Sequence, residues 1–344
     1  MQHDDWLTGR WNNVPPEARV REPTSLARID QYVADHFPTL LSLLVLSHGA
    51  LVFERYYHHS GVEDCVNVKS VTKSIISALV GIALREGYLS SLDQRVCEFF
   101  PQYFSATDDP RKREITLKHL LTLRSGLSWA EHESIPALVA SDHWVQYALS
   151  LPLRYAPGQR FVYSTLDAHL LSAILSRATG SSTLAFANTY LFGPLGSTIT
   201  QWTRDPQGYP LGGSELYLTP RDMAKFGFLY VRGGQWDGEQ IIPEEYFEAS
   251  IHTQVSTSIS VGANTAMVLP DSYGYLWWVS TVGPYPSFFA LGFGGQTIYV
   301  IPDLDVVLIT TARTDVPAEQ GVGRYAFTMA HDIAEHCVLP ALAP

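Results

Sequence analysis

The sequence contains little cysteine and no long hydrophobic run. Its three cysteines lie far apart and form no C-x-x-C pair, which gives little support for a disulfide framework or a thiolate metal site. The longest apolar runs, 40–46 and 75–84, are much shorter than the roughly 20 residues that span a bilayer. We therefore expect a reduced protein that holds no metal and does not enter a membrane. The cysteines are Cys65, Cys97 and Cys337.

Positive charge is also scarce. The 344 residues carry 23 basic and 34 acidic side chains, for a net charge of −11, and no basic cluster interrupts that balance. Because this charge would repel a phosphate backbone, we expect no nucleic-acid partner. The amino terminus is polar and carries acids early, unlike a secretion signal, so we expect a cytoplasmic protein.

Strand-like segments lie at both ends of the chain. LLSLLVLSHGALVFERYY predicts a hairpin that turns at 47–49, and its first run predicts a buried strand. Later strands are predicted by YGYLWWVST, SFFALGF, TIYVIP and VVLITTA. Short links join these later strands, so we expect an antiparallel sheet.

Helical spacing predicts the remaining elements. Helices are expected near 25–37, 70–84 and 324–337, and TPRDMAKFGFLYVRGG predicts another that begins at Thr219. Between about 90 and 196, apolar residues are spaced three and four apart in three segments, ITLKHLLTLRSGL, IPALVASDHWVQYALSLPL and DAHLLSAILSRATG. The predicted fold class is therefore α+β, an antiparallel sheet flanked by helices with a mainly helical insertion. Its predicted domains are an α/β domain, 15–85 with 205–344, and a helical domain, 86–204.

The segment VKSVTKSII places Ser70 three residues before Lys73 at the start of a predicted helix. Residues three apart share a helix face, so the lysine amine can approach the serine hydroxyl. Serine is a weak nucleophile until a base removes its proton, and lysine does this only where its surroundings favour the uncharged amine. Unpaired N–H groups at a helix start can also receive the charge of an attacked carbonyl. Because S-x-x-K pairs also arise by chance, the spacing alone leaves catalysis open.

Five blocks in the same order resemble the serine β-lactamase and penicillin-binding-protein superfamily. Among its branches, the chain is most similar to class C β-lactamase-related, family VIII-type esterases and to 6-aminohexanoate-dimer hydrolases. The resemblance covers roughly 40–315 and implies a β-lactamase/transpeptidase-like fold. The blocks are VKSVTKSIISALVGIALREGYLSSLDQRVCEFFPQY, ITLKHLLTLRSGLSW, PGQRFVYSTLDAHLLSAILSRATG, GGSELYLTPRDMAKFG and ALGFGGQTIYVIPDLDVVLITTA.

The resemblance implies roles for several residues. Its S-x-x-K motif makes Ser70 the nucleophile and Lys73 the general base, and its second motif makes Tyr163 the partner that relays a proton. Thr165 stands where asparagine is frequent, so a side-chain amide contact to the substrate is missing.

The third family motif, K-T-G, is matched by 290–292, where Ala290 replaces the lysine. That cation helps to hold a carboxylate, so its loss favours neutral substrates. The resemblance pairs the backbone N–H of Phe293 with that of Ser70 as an oxyanion hole. The expected substrate pocket contains Gly292, Gly294, Thr165 and Trp278.

The expected function is hydrolysis of small carboxylic esters or amides through a Ser70 acyl-enzyme, with no metal or organic cofactor. Two alternatives remain open: a β-lactamase or D,D-peptidase, and a catalytically silent member that binds a ligand or serves as a scaffold. A small-molecule substrate is the expected partner, and the oligomeric state is not predicted.

Other catalytic patterns fit the sequence less well. GFGGQT lacks the last glycine of a dinucleotide fingerprint and precedes a predicted strand instead of a helix. No G-x-S-x-G or H-E-x-x-H motif is present. His169 lies beside leucines at helical spacing, which is typical of a packed histidine.

Overall fold

The structure, a computed structural model, describes residues 28–105, 109–131, 133–257, 270, 272–315 and 328–343. Its centre is an eight-stranded sheet in the order β2-β1-β12-β11-β10-β9-β8-β7, with every neighbouring pair antiparallel. The strands are β1 (Leu40–Ser47), β2 (Ala50–Tyr56), β7 (Val255–Ser256), β8 (Ser272–Tyr273), β9 (Trp278–Val282), β10 (Tyr285–Gly292), β11 (Gln296–Ile301) and β12 (Val306–Ala312). The predicted antiparallel sheet is confirmed.

Two small strand pairs lie outside the main sheet. Strand β3 (Val66–Asn67) pairs with β4 (Tyr217–Leu218), and β5 (Gln235–Trp236) pairs with β6 (Glu239–Gln240). The first pair matters for the site, because β3 ends three residues before Ser70. The amide N–H of Val68 continues the pairing by donating to Leu216 O at 2.9 Å.

Helices lie between the sheet strands along the sequence and pack against the sheet. Strand β12 contacts the helix 220–231, which also contacts β11 and β1. The helices are α1 (Ile29–His36), α2 (Val71–Arg85), α3 (Val96–Phe99), α4 (Leu117–Leu121), α5 (Ile135–Val139), α6 (Trp144–Ser150), α7 (Thr165–Thr179), α8 (Thr183–Ala187), α9 (Pro220–Val231), α10 (Glu244–Ile251), α11 (Met329–Ile333) and α12 (Leu339–Leu342).

Strand β1 lies between β2 and β12, one strand from the edge of the sheet, and is almost fully buried. Seven of its eight residues are buried, which explains the continuous apolar run in the sequence. It pairs with β2 through the predicted hairpin and with β12 at the other end of the chain. The turn residues His48 and Gly49 both have positive φ, as a tight two-residue hairpin requires.

Helix α2 is the central helix of the fold. All but two of its 15 residues are buried, from Val71 to Ala83. It contacts α7 on one side and β10 and β11 on the other. A helix that is apolar on all sides packs in the interior of a protein. The polar residues of this helix lie at its start, so its first turn can hold reactive groups at the edge of the core.

Some predicted elements differ in detail. YGYLWWVST forms two strands, β8 and β9, because the chain turns at 274–277, where Leu276 has a φ of 59°. Helix α9 begins after Thr219, as predicted, and the Thr219 hydroxyl accepts a hydrogen bond from the Asp222 N–H. The starts of the predicted helices at 25 and 324 lie outside the described residues.

Between residues 86 and 204, the described regular elements are helices and helical turns. The division into domains at these boundaries stays a prediction. Of the helices described, none combines the length and the apolar character needed to cross a membrane.

Candidate active site

Ser70 lies immediately before helix α2, and Lys73 lies in its first turn. Lys73 Nζ is 2.9 Å from Ser70 Oγ. The Lys73 side chain is 1% exposed, whereas Ser70 is only partly buried. The structure therefore brings a serine hydroxyl at the surface of the core into hydrogen-bond contact with a buried amine.

Two further oxygens hold the Lys73 amine. Its Nζ donates to Gly213 O at 2.8 Å and lies 3.0 Å from Thr165 Oγ1. Helix α7 begins at Thr165, and Gly213 precedes β4, so these contacts tie α2 to two segments distant in sequence. Three oxygens surround the amine, which matches the three hydrogens of an ammonium group.

Thr165 connects Lys73 to an acidic residue. The backbone N–H of Thr165 donates to Glu131 Oε2 at 2.8 Å, and its hydroxyl donates to Glu131 Oε1. Trp129 Nε1 also donates to Glu131 Oε2, at 2.6 Å. The Glu131 carboxylate thus accepts three hydrogen bonds and is fixed one hydroxyl group away from Lys73.

Tyr163 meets the amine through the face of its ring. Lys73 Nζ lies 4.9 Å from the ring centroid, within the range of a cation–π contact when the amine is protonated. The Tyr163 ring also stacks against Trp278, with ring centroids 6.0 Å apart and ring planes at 14° to each other. The structure therefore brings the predicted residues Lys73, Tyr163 and Trp278 together.

The end of strand β10 lies directly against the segment before Ser70. A Cβ added to Gly292 would lie 2.4 Å from Val68 O and 3.1 Å from Lys69 Cβ, so only glycine allows this approach. Phe293 follows Gly292 and is therefore beside the serine segment. Its side chain is 49% exposed. Gly294 lies in the same turn, with a φ of 84°.

Lys69 is the other cation at this end of α2. Its Nζ forms an ion pair with Glu215 Oε1 at 3.3 Å, and Asn67 Nδ2 donates to the other carboxylate oxygen at 2.5 Å. Lys69 and Glu215 both have positive φ, 52° and 63°. Such left-handed backbone costs energy in residues other than glycine and is often found beside functional groups. The pair also neutralises the positive charge of Lys69.

A buried carboxyl group lies in the first turn of α7. Asp167 is 1% exposed, and its Oδ1 accepts hydrogen bonds from Ser125 Oγ at 2.8 Å and from Ser164 Oγ at 3.2 Å. Burial raises the pKa of Asp167 to about 7, against the opposing effect of these hydrogen bonds. The nearby Glu131 carboxylate adds to the increase.

His169 does not join this group. Its Nε2 lies 3.0 Å from Asp205 Oδ2, and both side chains are buried, at 2% and 0% exposed. The pair is consistent with the packed histidine that the sequence indicates. Lys225 is likewise held elsewhere, donating to Gly196 O and Ser197 Oγ at 3.0 Å each. Among the described residues, no cluster of acidic, histidine and cysteine side chains forms a metal site.

The family model described as Beta-lactamase matches residues 27–331. The protein belongs to the beta-lactamase family. This match spans the sheet, the helices between its strands and every residue of the site described above. It bears out the resemblance indicated by the ordered sequence blocks.

Relatives of this beta-lactamase family protein include enzymes with different named substrates. The 6-aminohexanoate-dimer hydrolase of Paenarthrobacter ureafaciens is 24% identical over 342 residues, which cover 89% of this chain and 84% of the relative. The lovastatin esterase of Penicillium rubens is 28% identical over 202 residues, which cover 50% of this chain and 48% of the relative.

A solved structure confirms the fold of the family member. The octameric penicillin-binding protein homologue from Pyrococcus abyssi superposes with a TM-score of 0.64 at 19% identity, covering 89% of this chain and 76% of that one. At this identity the likeness concerns the fold alone. The predicted β-lactamase/transpeptidase-like fold class is thereby confirmed.

Sequence reasoning missed three members of the site in this beta-lactamase family protein. Glu131 follows the block ITLKHLLTLRSGLSW by two residues, and nothing in its spacing pairs it with Thr165. Gly213 and Glu215 lie in the block GGSELYLT, where the two glycines were the available signal for a close backbone approach. Gly213 contacts Lys73, Glu215 contacts Lys69 and Glu131 contacts Thr165, in each case only through the folding of distant segments.

Proposed function

We propose that the protein is a serine hydrolase that cleaves small carboxylic esters or amides through an acyl-enzyme at Ser70. The observation that carries the proposal is the 2.9 Å contact between Ser70 Oγ and the buried Lys73 amine. Membership of the beta-lactamase family and the hydrolase and esterase names of its relatives support a hydrolase in general.

In the first half of the proposed reaction, the uncharged Lys73 amine accepts the Ser70 hydroxyl proton as Oγ attacks the substrate carbonyl carbon. The backbone N–H groups of Ser70 and Phe293 donate to the oxygen that becomes negative. The tetrahedral intermediate then expels the alcohol or amine, which leaves with a proton that Lys73 and Tyr163 deliver. An ester bond to Ser70 has formed, and the substrate ester or amide bond has broken.

In the second half, water replaces the leaving group. The same amine, assisted by Tyr163, accepts a proton from the water as it attacks the Ser70 ester carbonyl. The collapse of the second intermediate breaks the bond to Ser70 Oγ, returns the proton to it and releases the carboxylic acid. The support for Tyr163 in this relay is the contact of its ring with the Lys73 amine, 4.9 Å from Nζ to the centroid, and the role of its hydroxyl follows from the family resemblance.

The charges around the site favour neutral substrates. Ala290 is buried in β10 and stands where the third motif of the β-lactamases has a lysine. Lys69 is paired with Glu215, and the Lys73 amine is surrounded by its own three oxygens. In the described part of the site, neither lysine is left as an unpaired anchor for a substrate carboxylate, so acidic β-lactams lose a charge-assisted contact.

The test is labelling with a fluorophosphonate probe, followed by mass spectrometry of the modified peptide. The native protein is expected to be labelled at Ser70, and Ser70→Ala is expected to abolish both labelling and turnover with the fold intact by circular dichroism. Lys73→Ala is expected to slow acylation by at least roughly 100- to 10000-fold, the usual effect of a positioned base. A folded native protein that resists labelling would instead support a catalytically silent binding protein.

The substrate class is tested separately by comparing p-nitrophenyl butyrate with nitrocefin. We expect the ester to be hydrolysed with the higher kcat/KM, because no lysine occupies position 290. A dominant nitrocefin rate would contradict the ester or amide assignment and favour a β-lactamase.

The role of Lys73 has its own contrary outcome. If Lys73→Ala is labelled at Ser70 as fast as the native protein, another group is the base.

A further inference from the structure

The three oxygens around the Lys73 amine differ in the hydrogen bonds that they can make. A protonated lysine has three N–H donors, whereas the neutral amine has two donors and one lone pair. The neutral amine can therefore act as a base toward Ser70 only if its lone pair, and not an N–H, points at Ser70 Oγ. The other two oxygens must then both accept hydrogen bonds from Lys73.

The first of these oxygens can only accept. Gly213 O is a backbone carbonyl, 2.8 Å from Lys73 Nζ, and has no hydrogen to donate. Its position is fixed by close packing, because a Cβ added to Gly213 would lie 2.4 Å from Thr165 Cγ2. One N–H of Lys73 is therefore always directed at Gly213.

The second oxygen is a hydroxyl group, which can donate or accept. Thr165 Oγ1 lies 3.0 Å from Lys73 Nζ, and its single hydrogen can point at Lys73 or away from it. Glu131 decides between these arrangements, since an ionised carboxylate only accepts, and Glu131 Oε1 lies within hydrogen-bond distance of Thr165 Oγ1. With its hydrogen directed at Glu131, the Thr165 hydroxyl must accept from Lys73.

We propose that Glu131 is a positioning residue that acts through Thr165 to aim the lone pair of neutral Lys73 at the Ser70 hydroxyl. Both N–H groups of the neutral amine are then used by Gly213 and Thr165. The remaining lone pair faces the third oxygen, Ser70 Oγ, at 2.9 Å. This inference rests on the proposed function, because it assigns the orientation of the base in the acylation of Ser70.

The arrangement also explains why threonine at position 165 needs a partner, whereas the asparagine frequent in the second family motif would not. An amide oxygen accepts hydrogen bonds in any state, but a hydroxyl becomes an obligatory acceptor only when its hydrogen is bound elsewhere. The other oxygen of Glu131 is held by Thr165 N and Trp129 Nε1, at 2.8 and 2.6 Å. The carboxylate therefore cannot rotate away without losing two hydrogen bonds.

The test substitution is Glu131→Gln, which keeps the size of the side chain. The glutamine oxygen is expected to take the position held by Thr165 N and Trp129 Nε1, which places its NH₂ group against Thr165 Oγ1. That NH₂ donates to Thr165 and turns the Thr165 hydrogen toward Lys73, so the amine loses an acceptor. We expect fluorophosphonate labelling of Ser70 to slow by roughly 10- to 100-fold, part of the contribution of a positioned base.

A double-mutant cycle separates this role from a structural one. In Thr165→Val the hydroxyl is absent, so adding Glu131→Gln is expected to change the labelling rate by less than about twofold. In Thr165→Asn the amide oxygen replaces the oriented hydroxyl, and Glu131→Gln is expected to lose most of its effect. If Glu131→Gln slows labelling by the same factor in the Thr165→Val background as in the native protein, with unchanged thermal unfolding, the proposal is overturned.

A carboxylate distant from the site supplies a matched control for the substitution. Glu248 forms an exposed pair with His252, and Glu248→Gln is expected to leave the labelling rate of Ser70 unchanged.

The same experiment distinguishes failure of the inference from failure of the proposed function. If the native protein is labelled at Ser70 and Glu131→Gln is labelled equally fast, the role of Glu131 is overturned and the serine hydrolase remains. If the folded native protein is not labelled at Ser70, the proposed function fails, and the inference fails with it.

Discussion

At the scale of single residues, two glycines set the distances on which the site depends. Gly213 brings a carbonyl oxygen to the Lys73 amine, and Gly292 brings the end of β10 to the segment before Ser70. Neither position has room for a methyl group. Since reacting groups must be held to a fraction of an ångström, these contacts are as important to the proposed reaction as the polar side chains.

Gly292→Ala is expected to reduce labelling of Ser70 by roughly 100-fold, the lower range for loss of one oxyanion donor. The added methyl group would lie 2.4 Å from Val68 O, so β10 must move away and carry the Phe293 N–H with it. The measurement is the rate of fluorophosphonate labelling. Gly61→Ala is the matched control, because its Cβ would meet only Asp64, at 3.8 Å or more. Equal rates in the two variants would contradict the close packing of Gly292.

The sequence predicts some residues of the site and not others, for a physical reason. Ser70 and Lys73 lie one turn apart on one helix, so local spacing is enough to bring them together. Glu131 reaches Thr165 only because the chain between them folds back, and no periodicity reports such a contact. The role of Tyr163 was predicted from the family resemblance alone, because the sequence around it would equally suit a tyrosine that only packs in the core.

At the scale of elements, helix ends hold the site-bearing segments in place. The Ser164 hydroxyl accepts from the Asp167 N–H at 3.0 Å and so caps the helix that begins at Thr165. Helix α6, which contacts α7, ends at Ser150 with carbonyl groups that need donors. Lys112 supplies them, donating to Leu149 O at 2.9 Å and to Ser150 O at 3.4 Å.

Lys112→Met is expected to lower the free energy of unfolding by about 1–3 kcal/mol, the cost of leaving buried acceptors without partners. Lys112 is 5% exposed, so water cannot readily replace its ammonium group. Urea unfolding followed by circular dichroism is the measurement. Lys118→Met serves as the control, since that partly exposed lysine has no side-chain hydrogen bond among the described residues. Equal losses in both variants would show that Lys112 does not stabilise α6.

Element boundaries show where sequence patterns are insufficient. The apolar run of β1 and the cap of α9 were predictable, because burial and capping leave local signals. The break between β8 and β9 was not, since the aromatic residues around Leu276 have strand propensity throughout. There the Leu276 N–H donates to Leu121 O at 3.0 Å, a tertiary contact that overrides the local preference.

At the scale of the whole molecule, one buried acid links stability to pH. The folded pKa of Asp167 is about 7, whereas its ordinary value is 3.8. Between these values, the folded protein retains a proton that the unfolded chain releases. Stability present below about pH 4 is therefore lost as the pH rises through 7.

We expect the free energy of unfolding to fall by up to about 4 kcal/mol between pH 4 and 8 from this group, at 1.36 kcal/mol per pKa unit. Asp167→Asn cannot ionise and is expected to remove that part of the pH dependence. Urea unfolding at several pH values measures it. Asp303→Asn, at an exposed position, is the control and is expected to retain the native profile. An unchanged profile in Asp167→Asn would show that another group is responsible.

The global arrangement was predictable to the level of layers. Alternating apolar and turn-forming segments indicated strands at both ends of the chain and helices between them, which the eight-stranded order bears out. The register could not be predicted, because nothing local pairs Leu43 with Thr310 or Phe289 with Tyr299. Such pairings depend on turn geometry and on which side chains of each strand face the core.

The partnership of β1 with β12 has a consequence for protein synthesis. When Leu40 to Ser47 leave the ribosome, the strand that will cover their free edge lies more than 250 residues further along the messenger RNA. At about 5–20 residues per second, that apolar edge waits on the order of ten seconds or more for its partner. During this interval, the unpaired edge of the nascent hairpin is open to edge-to-edge association with other chains.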